Sequence, residues 1–148
     1  MAEYRGCELP ETLYYDLDYV WVRPESDDTY TLGVTDPSQT MAGRVQSIFC
    51  RKPGTHRTAG KSVAHLESGK WVGGIPMPFD GTVVRVNAQI EKNPGLVNVA
   101  PYTDAWLVVV KPDEPATALA RLTRGDQAQE ALRAWIDRYD VQCMRCAD

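Results

Sequence analysis

The chain lacks any apolar run long enough to span a bilayer, and its start, Met1-Ala2-Glu3-Tyr4-Arg5-Gly6-Cys7, has no hydrophobic core of a signal peptide. A membrane partner is therefore not expected, and the location expected is the cytoplasm. No block of basic residues forms a stripe: 20 Asp and Glu stand against 16 Lys and Arg, which argues against nucleic acid as a partner. Only two histidines are present, His56 and His65, and neither has a serine or carboxylate at a recognisable catalytic spacing, so no hydrolase is expected. Gly54, Gly60, Gly69, Gly73 and Gly74 are scattered, and none opens a helix after a strand as a phosphate-binding loop does.

What remains is a globular chain of 148 residues with 43% apolar content, enough for one domain with a sizeable core. The pattern predicts many short strands punctuated by glycine and proline, with turns at Lys52-Pro53-Gly54-Thr55 and Phe79-Asp80-Gly81. Thr35-Asp36-Pro37 predicts a short helix, closed by Gly43. Gly43 to Ile48 and Gly81 to Val86 echo one another as strands opening after a glycine, which suggests two related halves. Beyond Pro112 the periodicity becomes helical. A short helix is predicted at about 115–122, ending near Gly125. A longer one follows, capped by Asp126 with Gln129 returning the bond, and buries Ala128, Leu132, Trp135, Ile136 and Tyr139 on one face. The core of the domain is expected over about 13–112, with a helical extension over about 113–142.

The stretch with most chemical content is Glu67-Ser68-Gly69-Lys70-Trp71. It follows the alternating run Ser62-Val63-Ala64-His65-Leu66, and Gly69 is expected to supply the permissive backbone of a tight hairpin. Lys70 is then an exposed amine at a hairpin tip, which an amide-forming ligase can enclose without unfolding the protein.

This turn sits in an ordered series: Tyr19-Val20-Trp21-Val22, Tyr30 to Asp36, Gly43-Arg44-Val45-Gln46, the turn itself, Pro78 to Asn87, Asn93 to Asn98 with Pro101-Tyr102, and Trp106 to Pro112. From about Leu13 to Lys111 the series resembles the H protein of the glycine cleavage system. The resemblance implies a mainly β, flattened barrel-sandwich fold of the lipoyl-carrier type, with a C-terminal helix. It implies lipoate amide-linked to Lys70, within a site made of Glu67, Ser68, Gly69, Lys70 and Trp71, and a carrier that performs no catalysis. Biotin carriers have a similar fold but flank the lysine with methionine, so lipoate is the cofactor expected.

The flanks depart from the familiar E-S-V-K-A pattern, with Gly69 and Trp71 in place of valine and alanine. Together with Arg5-Gly6-Cys7 and Trp71-Val72-Gly73, they resemble the lipoate-binding proteins associated with heterodisulfide-reductase-like sulfur oxidation. That likeness implies a sulfur-carrying arm, served by a lipoate-protein ligase or lipoyl transferase, the heterodisulfide-reductase-like complex and sulfurtransferases. The alternative is a glycine cleavage H protein carrying an aminomethyl group between the P, T and L proteins. A third reading is an unmodified interaction module, or a small thiol redox protein using Cys143 and Cys146.

Four cysteines in a protein expected to be cytoplasmic read as free thiols, metal ligands or redox groups before structural disulfides. Cys143-Met144-Arg145-Cys146 is a single CxxC, expected as two incidental thiols on a frayed tail, and a zinc site would need Cys7 and Cys50 brought to it. Cys50 is expected as a small core or rim residue, and Cys7 has no role legible in the sequence.

Overall fold

The computed structural model describes residues 2–16 and 20–144. Two antiparallel sheets share one apolar core. A six-stranded sheet runs in the order β3 (Tyr14–Asp16), β4 (Val20–Pro24), β5 (Tyr30–Val34), β11 (Val108–Pro112), β10 (Gly81–Val86) and β7 (His56–Arg57). A three-stranded sheet is formed by β6 (Val45–Cys50), β8 (Ser62–Ser68) and β9 (Val72–Pro76). Strand β4 shows how the period of two makes layers: Val20 and Val22 point into the core between the sheets, while Trp21 points to the other face. From the opposite sheet come Ile48, Leu66 and Ile75. This is the flattened sandwich expected from the sequence, and the paired glycines do precede β6 and open β10.

The first helix, α1 (Asp36–Ala42), obeys its sequence signals. The Thr35 hydroxyl accepts from the Ser38 amide at 3.3 Å, Pro37 lies in the first turn, and Gly43 ends the helix at φ 80. Two short helices, α2 (Ala88–Lys92) and α3 (Leu96–Val99), link β10 to β11. The predicted 115–122 helix is a single 3-10 turn, Ala118–Arg121.

The last helix, α4 (Gly125–Arg138), corrects the expected cap. Arg124 occupies the cap position without a side-chain capping bond, Gly125 opens the helix at φ 65, and Asp126 falls inside the first turn, where the helix dipole favours an acid. Gln129 does not return a capping bond; it is buried and donates from Nε2 to the Leu9 carbonyl at 3.0 Å. Ala128, Leu132 and Ile136, spaced by four, are buried against the outer face of the six-stranded sheet with Tyr15 and Trp21. Trp135 is only half-buried at the edge of that stripe, and Tyr139, expected on the buried face, lies just past the helix end, exposed and with its ring tilted against Trp135 at 5.0 Å between centroids.

The termini depart most from expectation. Strands β1 (Ala2–Tyr4) and β2 (Cys7–Leu9) form a hairpin turned by Arg5 at φ 50 and Gly6 at φ 79. Cys7 and Cys143 are joined in a disulfide across 136 residues of sequence. The expectation of free thiols is therefore wrong for Cys7 and Cys143, as is that of Cys143 as an incidental thiol on a frayed tail, whereas Cys50 is a free thiol. The pairing depends on both chain ends folding onto the same face of the sheet, which no local pattern encodes. Cys146 lies outside the described residues. Cys50 is the buried core residue expected, and burial pushes its thiol up to about 12.

Candidate functional site: the Lys70 hairpin

Strands β8 and β9 pair in register up to Glu67 opposite Val72, leaving Ser68 to Trp71 as the connecting turn. The Ser68 amide donates to the Trp71 carbonyl at 2.8 Å and closes it. Alternation along β8 points Leu66 and Ser68 inward and His65 and Glu67 outward. Inward direction makes Ser68 the hub of the turn. Its hydroxyl donates to the Ala42 carbonyl at 2.5 Å, and accepts from the Trp71 amide at 3.1 Å and more weakly from the Lys70 amide at 3.4 Å. One hydroxyl of a buried residue thus ties the lysine turn to the C-terminal end of α1.

Gly69 does not supply the backbone freedom expected of it. It is absent from the residues at positive φ, and a Cβ there would meet only the Gln46 side chain, at 3.6 Å. Ser68, not a left-handed glycine, shapes this turn. The glycine that matters is Gly43, across the gap: at φ 80 and ψ −164 it holds a conformation that L side chains avoid, and a Cβ there would stand 2.9 Å from Lys70 Cε. The stem of Lys70 lies across Gly43, and the residue itself is exposed. Asn98, fully buried, fixes the chain on both sides of this contact by accepting from the Val45 amide and donating to the Gly43 carbonyl, each at 2.8 Å. Nothing in the sequence distinguishes Asn98 from an ordinary helix residue.

Trp71 is half-buried and packs against the main core, with its ring over Gly73, where any side chain would collide with it. It also walls a cleft of about 80 Å3 beside the lysine, with Ser38, Met41 and Ala42 of α1 opposite and Leu66 and Ile75 at its floor. One ring thus packs against the end of the core and faces the space beside the lysine. Glu67 stands exposed at the strand end. His65 is likewise exposed, while His56 does find a carboxylate in the fold, with Nε2 2.7 Å from Asp113 Oδ2, joining β7 to the segment after β11. Sequence spacing missed that pair because its members are 57 residues apart.

A family model described as glycine cleavage H-protein matches residues 13–134. The chain is 45% identical over 148 residues to glycine cleavage system H protein 3 of Aquifex aeolicus, covering 97% of this chain and 92% of that protein. It is 42% identical over 144 residues to H protein 2 of the same organism, covering 97% and 89%. A crystal structure of a glycine cleavage system H protein from Mycobacterium marinum superposes with a TM-score of 0.72 at 24% identity, over 90% of this chain and all of that one, which shows the fold. The sandwich, the Lys70 hairpin and these full-length matches together make the chain a member of the glycine cleavage H-protein family, a non-catalytic carrier rather than an enzyme.

Proposed function

We propose that Lys70 is the lipoylated residue and that the chain works as a swinging-arm carrier in glycine cleavage. The observation that carries this is the position of Lys70, exposed at the tip of a hairpin that Ser68 fastens to α1, with an apolar cleft alongside. The residues present suit lipoate: a primary amine for the amide, a glycine at Gly43 that leaves room for the lysine stem, and a small cleft lined by Trp71 and Met41 for a small apolar ring. Bound lipoate supplies a dithiolane that opens to two thiols able to bear a transferred group. The protein's own part is positional. A turn fastened to α1 through Ser68 presents the arm from the three-stranded sheet, and tethering raises the arm's local concentration at each partner's active site. Glu67 and Ser68 serve attachment differently: the exposed acid is available for a ligase or lipoyl transferase to read, and the buried hydroxyl keeps the turn in one shape. The names of the similar Aquifex aeolicus proteins favour an aminomethyl cargo and the P, T and L proteins as partners.

A second reading, a sulfur cargo handled by a heterodisulfide-reductase-like complex and sulfurtransferases, is favoured by Trp71. The ring narrows the space beside the lysine where the familiar pattern has an alanine. Two separately numbered H proteins in one organism, each over 40% identical to this chain, also fit carriers divided among different cargoes. Intact-mass and peptide analysis of protein made with a lipoylation system should find one lipoyl amide, on Lys70; modification elsewhere, or none with several ligases, overturns the carrier site. Glycine–bicarbonate exchange with a P protein then separates the cargoes. Exchange comparable with an authentic H protein supports glycine cleavage, and poor exchange with sulfur adducts that vanish in Lys70→Arg supports the second reading.

A further inference from the structure

The two ends of the described chain meet at a site that the carrier function leaves unused. We propose that Cys7 and Cys143 form a redox-active pair, reduced by dithiols, whose disulfide form clamps the C-terminal tail onto α1 and so steadies the backbone beneath Lys70.

The clamp is built on the Arg5-Gly6 turn. The Cys143 amide and the Gln142 side chain both donate to the Arg5 carbonyl, at 3.0 and 2.9 Å, and the Cys143 carbonyl sits where a Cβ on Gly6 would be 2.8 Å away. Only glycine allows the tail to lie there, which gives Arg5-Gly6-Cys7 a single structural purpose. One residue further, the Met144 carbonyl accepts from Gln39 Nε2 at 3.0 Å and from the Thr40 hydroxyl at 3.4 Å, both on α1. From the other side of the disulfide, the Glu8 amide donates to Asp36 Oδ2 at 2.8 Å, and Gln39 Nε2 also donates to Asp36 Oδ1 at 2.8 Å. The tail therefore ends on Gln39 and Thr40 and β2 on Asp36, and the bond between the buried Gln39 and Asp36 side chains joins the two arms on α1. Gln39 passes the connection on: its Oε1 accepts from Asn98 Nδ2 at 3.0 Å, and Asn98 holds the Gly43 carbonyl under the Lys70 stem. This continuous set of contacts runs from the sulfurs to the lysine seat.

Both cysteines are buried, Cys7 at 0% exposed and Cys143 at 9%, so the pair is reached when the tail beyond Val141 lifts; a thiolate then attacks the Cys143 sulfur, and Cys7 departs as thiolate and takes a proton. The dithiol's second thiol then displaces Cys143, closing its own disulfide; the dithiol loses two electrons and the pair gains them. Release need not unfold the protein, because Val141 stays buried and its amide still donates to the Ile136 carbonyl at 3.0 Å, leaving only the few residues beyond it to lift. Cys50, buried in the other cluster with its thiol pushed up to about 12, does not compete. In a reducing compartment a disulfide persists chiefly where it is transient or sensing, which suits such a pair. The effect on the arm's seat rests on the Lys70 reading, whereas the redox couple stands without it.

The full chain, natively folded, is treated with dihydrolipoamide, and separately with buffer, then alkylated and mapped by peptide mass while amide hydrogen exchange is followed. Alkylation of Cys7 and Cys143 with Cys50 protected is expected, with exchange at residues 39–43 and 142–144 faster by about tenfold and the global melting transition retained. The Cys7→Ser/Cys143→Ser variant should show the fast exchange from the outset and no response to the dithiol. A disulfide that yields only on global unfolding makes the pair an inert staple and overturns the proposal, as does reduction that leaves residues 39–43 unchanged. Lipoylation of Lys70 is scored by mass on the same samples. Its absence beside an intact redox response removes the Lys70 reading and leaves the couple standing.

Discussion

Replacing Ser68 by alanine tests the reasoning about the lysine turn most directly. The Ser68 hydroxyl fastens the hairpin tip to α1 through the Ala42 carbonyl, and it also accepts from the Trp71 amide. The 3.4 Å contact with the Lys70 amide is too long to add much. Two effective bonds at roughly 1 kcal/mol each, with a further penalty for leaving the Ala42 carbonyl dry, give a loss of about 2–3 kcal/mol. For a chain of 148 residues that corresponds to a melting temperature lower by roughly 4–12 °C. The turn should also lose its single shape, so lipoylation of Lys70 by a given ligase should slow even where the protein remains folded. The comparator is Glu67→Gln, one residue away and exposed, which should melt within about 0.5 kcal/mol of the parent. Differential scanning calorimetry and a lipoylation time course followed by intact mass read both effects. If Ser68→Ala melts with the parent and is lipoylated at the same rate, the hydroxyl is not what shapes the turn and the account of the site fails.

Gly69→Ala should be tolerated or stabilise by about 0.4–1 kcal/mol in thermal melts, because its backbone is not left-handed and its Cβ would have room. Gly43→Ala should instead cost about 1–3 kcal/mol, from backbone strain rather than from the yielding Lys70 stem, and equal melts for the two variants would reverse that assignment. Lys70→Arg should keep the parent's melting temperature and lose all lipoylation by mass and all carrier activity, since an exposed turn position contributes little to stability. For Cys50, burial raises the folded thiol from 9.0 to about 12, so its contribution to stability is full below pH 9 and falls as pH rises from there toward 12. Burial raises the Tyr15 hydroxyl too and acts in the same alkaline direction, so denaturant midpoints should drop across this range, and Cys50→Ala should lessen the drop. Native Cys50 should also resist iodoacetamide in mildly alkaline buffer until the chain unfolds.

Where neighbours in sequence are neighbours in space, the sequence alone determined the outcome. Thr35, Pro37 and Gly43 bound α1 because caps act within one turn of backbone. The alternation from Ser62 to Leu66 made β8 a half-buried strand, and the E-S-x-K turn followed it as a hairpin with an exposed lysine, because side-chain period and turn are local properties. The same reasoning failed where a local signal had a tertiary competitor. Asp126 has the sequence of a cap, yet Gln129 found the Leu9 carbonyl once α4 had docked, and the cap moved two residues earlier, to Arg124. Gly69 looked like the turn's pivot, but a hydroxyl held by α1 does that work, and the strained glycine is Gly43, 26 positions earlier in the chain. The Cys7–Cys143 bond and the Asn98 clasp are further from any sequence signal still. Each joins segments that come together only when two sheets and α4 have closed around their cores, and partners chosen by such closure leave no mark in the spacing of residues along the chain.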